Sequence, residues 1–296
     1  MLKALAVFLP TQAPARRNRM AGNLGTAPVF ALFCAMALSA CTTASLDNAI
    51  DIDPAQGSEA NITSLSAVVD RNPRSPEAYN VRGTAYGNAR RYDEALADFD
   101  AAVRINPSFY QAYANRALVK AKLNRKQEAL ADYNQAIAIN PEYDAAYVGR
   151  GVLYRDNKQI NEALADFERA IQLKSSNPLA FHNRGQIYQA RSMHDYAIED
   201  FSVAIGLNPN AAEPYYGRGV SYAAIGDLDA ALNDLNRAVQ LNSRYYEAWA
   251  ARGQVLEQKG DKNQAATSYA RALEINRSYG PAQQGARRLS SFMPKA

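Results

Sequence analysis

The chain is short of the residues that most chemistry needs. Its 296 residues include two cysteines, two histidines and one tryptophan. Cys34 and Cys41 both lie near the start, so no disulfide framework is available to the rest of the chain. His182 and His194 are too far apart to share adjacent turns of a helix, and no third ligand accompanies them. No G-x-S-x-G, H-E-x-x-H or phosphate-cradling glycine loop is present, so no catalytic residue, metal or cofactor is expected. The cationic surplus is also local. The net charge of +4 equals the four basic residues Lys3, Arg16, Arg17 and Arg19 of residues 1–40, which include no acid. The remainder is neutral, which gives no overall electrostatic case for nucleic acid.

Those four cations precede an apolar run from Ala27 to Ala40, too short to span a bilayer comfortably, which reads as the apolar core of a secretion signal. It ends in Leu38-Ser39-Ala40-Cys41, which resembles the bacterial lipobox. That resemblance implies a signal peptide over 1–40 and a lipid on Cys41, which becomes the new N-terminus. Thr42, in place of Asp, implies an outer-membrane lipoprotein facing the periplasm. Residues 41–60 read as a polar tether. Within it, DIDPAQGSE fails as a calcium loop, because Ala55 stands at a ligand position and the glycine comes one residue late.

What the chain does have is repetition. From Pro76 a unit recurs every 34 residues, starting again at Tyr110, Asp144, Pro178, Ala212 and Tyr246, with no insertion. Position 4 is aromatic in all six copies (Tyr79, Tyr113, Tyr147, Phe181, Tyr215, Trp249) and position 8 is Gly or Ala. Positions 20 and 27 are always Ala, and position 24 is large (Phe99, Tyr133, Phe167, Phe201, Leu235, Tyr269). Positions 4, 8 and 11 share one helical face, as do 20, 24 and 27. The spacing therefore predicts two closely packed helices per unit, and Pro107, Pro141 and Pro209 stop the second of them.

This pattern resembles the tetratricopeptide repeat (TPR) family over about two thirds of the chain. The resemblance implies an all-α, right-handed α-solenoid of six repeats (76–109, 110–143, 144–177, 178–211, 212–245 and 246–279). A capping helix is expected over 61–75, with Leu65, Val68 and Val69 inward, and a second cap and tail over 280–296.

One departure stands out. Position 7 is Arg in every copy (Arg82, Arg116, Arg150, Arg184, Arg218, Arg252) and position 23 is Asp in five (Asp98, Asp132, Asp166, Asp200, Asp234), with Ser268 in the sixth. Six cations in a row suggest an anion-binding stripe, but the matching carboxylates favour a structural ladder of bidentate pairs. Two directions are open. Pairing each Arg with the Asp of the preceding unit explains Ser268, since the next position 7 is Ala286, and is the favoured reading. Pairing within a unit leaves Arg252 facing Ser268.

In the family, positions 2, 5, 9, 12 and 13 line a concave groove. Here the copies differ most at several of them, and the later half carries the larger polar groups. The expected partner groove comprises Arg155, His182, Gln186, Gln189, Tyr216, Gln254 and Glu257, although ordinary solvent exposure explains that polarity equally well. His194 reads as a solvated turn residue. The Lys and Asn positions with which some family members clamp a terminal carboxylate are not reproduced. The resemblance implies a non-enzymatic adaptor that binds a protein or peptide and is held to the membrane by its lipid. Recruitment of cell-wall hydrolases or proteases is one reading, and pilotin-like assembly of a secretin or pilus system is the alternative. Tyr110, Tyr143, Tyr245, Tyr246 and Tyr279, if exposed, leave a homodimer open.

Overall fold

The computed structural model describes residues 57–293, and the regular elements among them are all helical. The leader, Cys41 and most of the expected tether lie outside the described residues. Helix α1 spans Glu59–Arg71. It starts two residues earlier than the sequence suggests, because Ser58 caps it by accepting from the Asn61 amide at 3.3 Å. Six helix pairs follow. The first helices are α2 (Pro76–Asn88), α4 (Tyr110–Lys122), α6 (Asp144–Asp156), α8 (Pro178–Ala190), α10 (Ala212–Ala224) and α12 (Tyr246–Gln258). Their partners are α3 (Tyr92–Ile105), α5 (Lys126–Ile139), α7 (Ile160–Gln172), α9 (His194–Leu207), α11 (Leu228–Leu241) and α13 (Lys262–Ile275). Helix α14 (Gly280–Arg288) closes the stack. Each helix packs on its partner and then on the next pair, so the molecule is an α-solenoid.

Both turns of the unit have local causes. Position 15 is left-handed in every copy. Arg90, Asn124, Lys158 and Ser192 have φ between 58° and 63°, and Gly226 and Gly260 have φ of 88° and 85°. There the chain closes the first helix with paired bonds such as Arg90 N to Gly87 O and Arg91 N to Tyr86 O. The turn between units rests on Asn at position 31. Asn106, Asn140, Asn208, Asn242 and Asn276 each accept from the backbone N–H two residues on, at 2.9–3.2 Å. The fifth and sixth units therefore turn without a proline at position 32.

The core is one layer of large side chains between small ones. Phe99, Tyr133, Phe167, Phe201, Leu235 and Tyr269 are at most 2% exposed, and the Ala residues at positions 20 and 27 are fully buried. A Cβ at Gly83, Gly151 or Gly253 would lie 2.7–2.9 Å from the ring at position 24 of its own unit. Position 8 therefore stays small because an aromatic ring occupies the space. At the N-terminal end Ile62 and Val69 are buried. Leu65 is only half-buried and Val68 faces outward, because Ile62 supplies the inward contact instead. At the other end Ala282, Gly285 and Leu289 turn inward.

The arginine ladder pairs within units, which corrects the favoured reading. Arg82, Arg116, Arg150, Arg184 and Arg218 each donate through Nε and Nη2 to the two carboxylate oxygens of Asp98, Asp132, Asp166, Asp200 and Asp234 of the same unit, at 2.7–2.9 Å. The remaining Nη1 often reaches back across the junction to position 25 of the preceding unit. Arg116 reaches Asp100 at 2.7 Å, Arg150 reaches Asn134 at 2.6 Å and Arg218 reaches Ser202 at 3.0 Å. Arg82 finds Ser66 of α1 at 3.4 Å. One guanidinium thus joins three helices. Sequence carried a signal for this: position 25 is polar in five copies and becomes Ala270 only where the next position 7 is Ala286. Aromatic faces complete the seat, with Arg150 over Tyr147 and Tyr154 at 5.6 and 5.7 Å.

Arg252 is the exception, bonding Asn236 at 2.6 Å and Ser268 Oγ at 2.6 Å. Burial lowers its pKa, whereas hydrogen bonding to Asp166 and to Asp200 raises those of Arg150 and Arg184. Ser268→Asp should therefore stabilise the last repeat by about 1.5 kcal/mol, the low end for a hydrogen bond to a charged group. Chemical denaturation of the variant measures it, and a loss of stability would contradict the assignment.

Candidate partner-binding groove

The first helices build one face of the solenoid, and position 12 ties neighbouring first helices together along it. Arg155 Nη1 donates to Asn183 Oδ1 and, at 3.1 Å, to Gln186 Oε1. Gln189 Nε2 donates to the Gly217 carbonyl at 2.7 Å and to Ser221 Oγ at 2.8 Å. Glu257 accepts from Arg288 at 2.9 Å and from the Tyr269 hydroxyl at 2.8 Å. The Arg288 hydrogen bond is the main reason its carboxyl pKa is lowered. Four residues expected in the groove (Arg155, Gln186, Gln189 and Glu257) are thus engaged in junctions between repeats.

His182 departs furthest from expectation. It is 7% exposed and its ring lies 5.7 Å from that of Phe201. Burial, with the nearby Arg155 charge, pushes its pKa down to about 3, so the imidazole is neutral at ordinary pH. It is a core residue, since position 5 is buried in this unit as it is at Ala114, Val148 and Ala250. Tyr216 is half-buried and packs on Tyr245 at 5.0 Å, and Gln254 borders a small hollow with Val220 and Ala223. His194 begins α9 and is half-buried, not a solvated turn residue. The tyrosines at the junctions are half-buried as well, with Tyr110 on Tyr143 and Tyr246 on Tyr279 at 4.8 and 4.9 Å.

The more pronounced concavity lies earlier, across the second to fourth repeats. Its volume is about 170 Å³. Leu118, Val148, Val152 and Leu179 give it apolar walls, Asn115 and Asn177 add carboxamides, and Tyr133 lies below Gly149. Positions 2, 5 and 9 supply most of it, in earlier repeats than most of the residues expected in the groove.

Models described as tetratricopeptide repeat match residues 76–109, 110–143, 182–243 and 216–281, and one described as TPR repeat matches 153–191. No curated protein matches the sequence. Among solved structures, the chain overlays the APC/C hetero-tetramer Cut9–Hcn1 with a TM-score of 0.68 at 21% identity, covering 79% of this chain. It spans only 46% of that chain. YrrB, described as a TPR protein with an unusual peptide-binding site, overlays at 0.55 and 24% identity, covering 64% of this chain and 97% of its own. PilF of Pseudomonas aeruginosa overlays at 0.67 and 18% identity, covering 74% and 99%. At these identities the likeness is one of fold.

Proposed function

Because the chain belongs to the tetratricopeptide repeat family, we propose that it is a non-enzymatic scaffold that holds a partner segment along its first-helix face. The observation that carries this is the apolar concavity of the second to fourth repeats. At about 170 Å³ it has room for one large aliphatic or aromatic side chain, since cavities near ~150 Å³ admit a benzene ring. Asn115 and Asn177 at its edge suit the backbone of an extended peptide. A lipid on Cys41 would hold the scaffold at the periplasmic side of the outer membrane, a reading supported by the cations, the apolar run and Leu38-Ser39-Ala40-Cys41 in order. Among the described residues no helix is long and apolar enough to cross a membrane. Its partners would then be envelope proteins such as cell-wall hydrolases or proteases. The rival reading, assembly of a secretin or pilus system, draws on the overlay with PilW, described as a type IV pilus biogenesis factor, at a TM-score of 0.61 and 15% identity.

Pull-down from solubilised envelope separates these readings. Hydrolases or proteases in the eluate support recruitment, and secretin subunits support assembly. Leu118→Glu, at a half-buried wall of the hollow, should abolish capture while the unfolding midpoint holds. Undiminished capture would contradict the groove assignment. Cys41→Ala should leave unprocessed precursor or a soluble chain, and an unchanged membrane-bound mature species would overturn the lipid anchor.

A further inference from the structure

The fourth repeat carries a feature on the opposite side from the groove. Its second helix, α9, buries Ala197, Asp200, Phe201 and Ala204. On its outer side Met193, Tyr196, Val203 and Leu207 are 38%, 55%, 42% and 42% exposed. Tyr196, Val203 and Leu207 are spaced i, i+7 and i+11, which aligns them along one helical edge. Leu207, at position 30, is matched by Ile or Leu in every copy, but the other copies do not share the rest of this edge. Position 19, Tyr196 here, is Glu94, Glu128 and Glu162 in the first three units. Position 26, Val203 here, is Arg169, Arg237 and Arg271 in the third, fifth and sixth. Charged residues fill each of these two positions in three of the five other copies, although Tyr196 also packs on Tyr188 of α8 at 5.6 Å.

Charge narrows the occupant. The exposed ionised groups on α9 are Asp195 and Glu199, and neither makes an ion pair among the described residues. The helix has no Lys or Arg. A second copy's α9 would bring carboxylates against carboxylates, and an anionic lipid surface would be repelled. A helix with an apolar stripe and flanking Lys or Arg meets both features. We propose that α9 is a second docking surface, independent of the groove, for a basic amphipathic helix of a partner protein. Met193 to Leu207 extends about 20 Å at 1.5 Å per residue, or roughly four turns of such a helix.

The test titrates the full chain with a fluorescent helical peptide of about 18 residues, with Leu on one face and Lys flanking it. A counterpart with Glu in place of Lys is the control. Tyr196→Glu with Val203→Arg restores the residues found in other copies and so preserves the fold. The Lys peptide should bind saturably, and at least about tenfold more weakly to the double variant, a difference of about 1.4 kcal/mol. The Glu peptide should bind at least as weakly to the unaltered chain. Leu118→Glu should leave this binding intact, which separates it from the groove. Equal binding by the double variant, equal binding of the Glu peptide, or no binding of the Lys peptide overturns the proposal. So does a dimer in sedimentation that the double variant abolishes, because it would assign the edge to a second copy.

Discussion

Asp166→Ala is expected to destabilise the central repeats by about 3 kcal/mol, the low end of the cost of breaking a buried ion pair. Arg150 loses both carboxylate bonds of 2.7 and 2.8 Å while remaining only 19% exposed. Asn134 remains bonded to it, but a neutral amide does not neutralise a half-buried cation. Arg150→Met should cost a similar amount, because Asp166 is 7% exposed and would be left without its cation. The double variant Arg150→Met/Asp166→Leu should return to within about 1 kcal/mol of the parent, since two apolar side chains need neither partner. The thioether stem would also keep the contacts with Tyr147 and Tyr154 that the guanidinium now makes. Guanidinium denaturation of these proteins, with Asp166→Leu added as the matching single, forms a complete cycle. Singles that cost nothing would show that the ladder does not hold the repeats, and would reopen the anion-binding stripe.

Gly149→Ala should cost roughly 1–2 kcal/mol. The added Cβ would sit 2.5 Å from Tyr133 Cζ and Oη. Overpacking of this kind costs about 1–3 kcal/mol, and removing a helical glycine returns up to about 1. The ring has little room to retreat. Tyr133 is 2% exposed, and behind it position 8 is Ala117, where the other five units have Gly. Tyr133→Leu in the Gly149→Ala background should recover most of the loss, because Leu235 followed by Ala251 is that same combination three repeats further on. Equilibrium unfolding measures both. A neutral Gly149→Ala would mean that the ring shifts freely. Tyr133 and Gly149 also line the concavity, so the same substitution tests whether packing beneath the groove shapes it.

Much of the solenoid was legible in the sequence because its determinants are local and recur. A residue that must be small beside a ring, or Ala at the contact of two helices, recurs wherever the contact recurs. The first helices accordingly begin at Pro76, Tyr110, Asp144, Pro178, Ala212 and Tyr246. The ladder was half legible. Identical spacing announced a charge pair, but position 23 of a unit and of its predecessor are equivalent in any sequence count. Only helix packing distinguishes them, and it places the carboxylate on the partner helix and the position-25 group across the junction.

The groove was least legible. His182 looks like a ligand group in sequence and is a core residue in the fold, because the stacked helices cover position 5 there, as they do at Val148 and Ala250. Arg155, Gln189 and Glu257 look free in sequence and instead bridge repeats. Taken alone, then, the sequence of this protein determined the period, the helix pairs, the small-beside-large core and the presence of an Arg–Asp ladder. The tertiary structure decided which Asp each Arg holds, which polar groups are engaged, and where the hollow and the bare apolar edge lie. The physical reason is that the first set depends on contacts a single unit makes with copies of itself, whatever its neighbours are. The second set depends on differences between adjacent units, and these become distances only when the units are stacked.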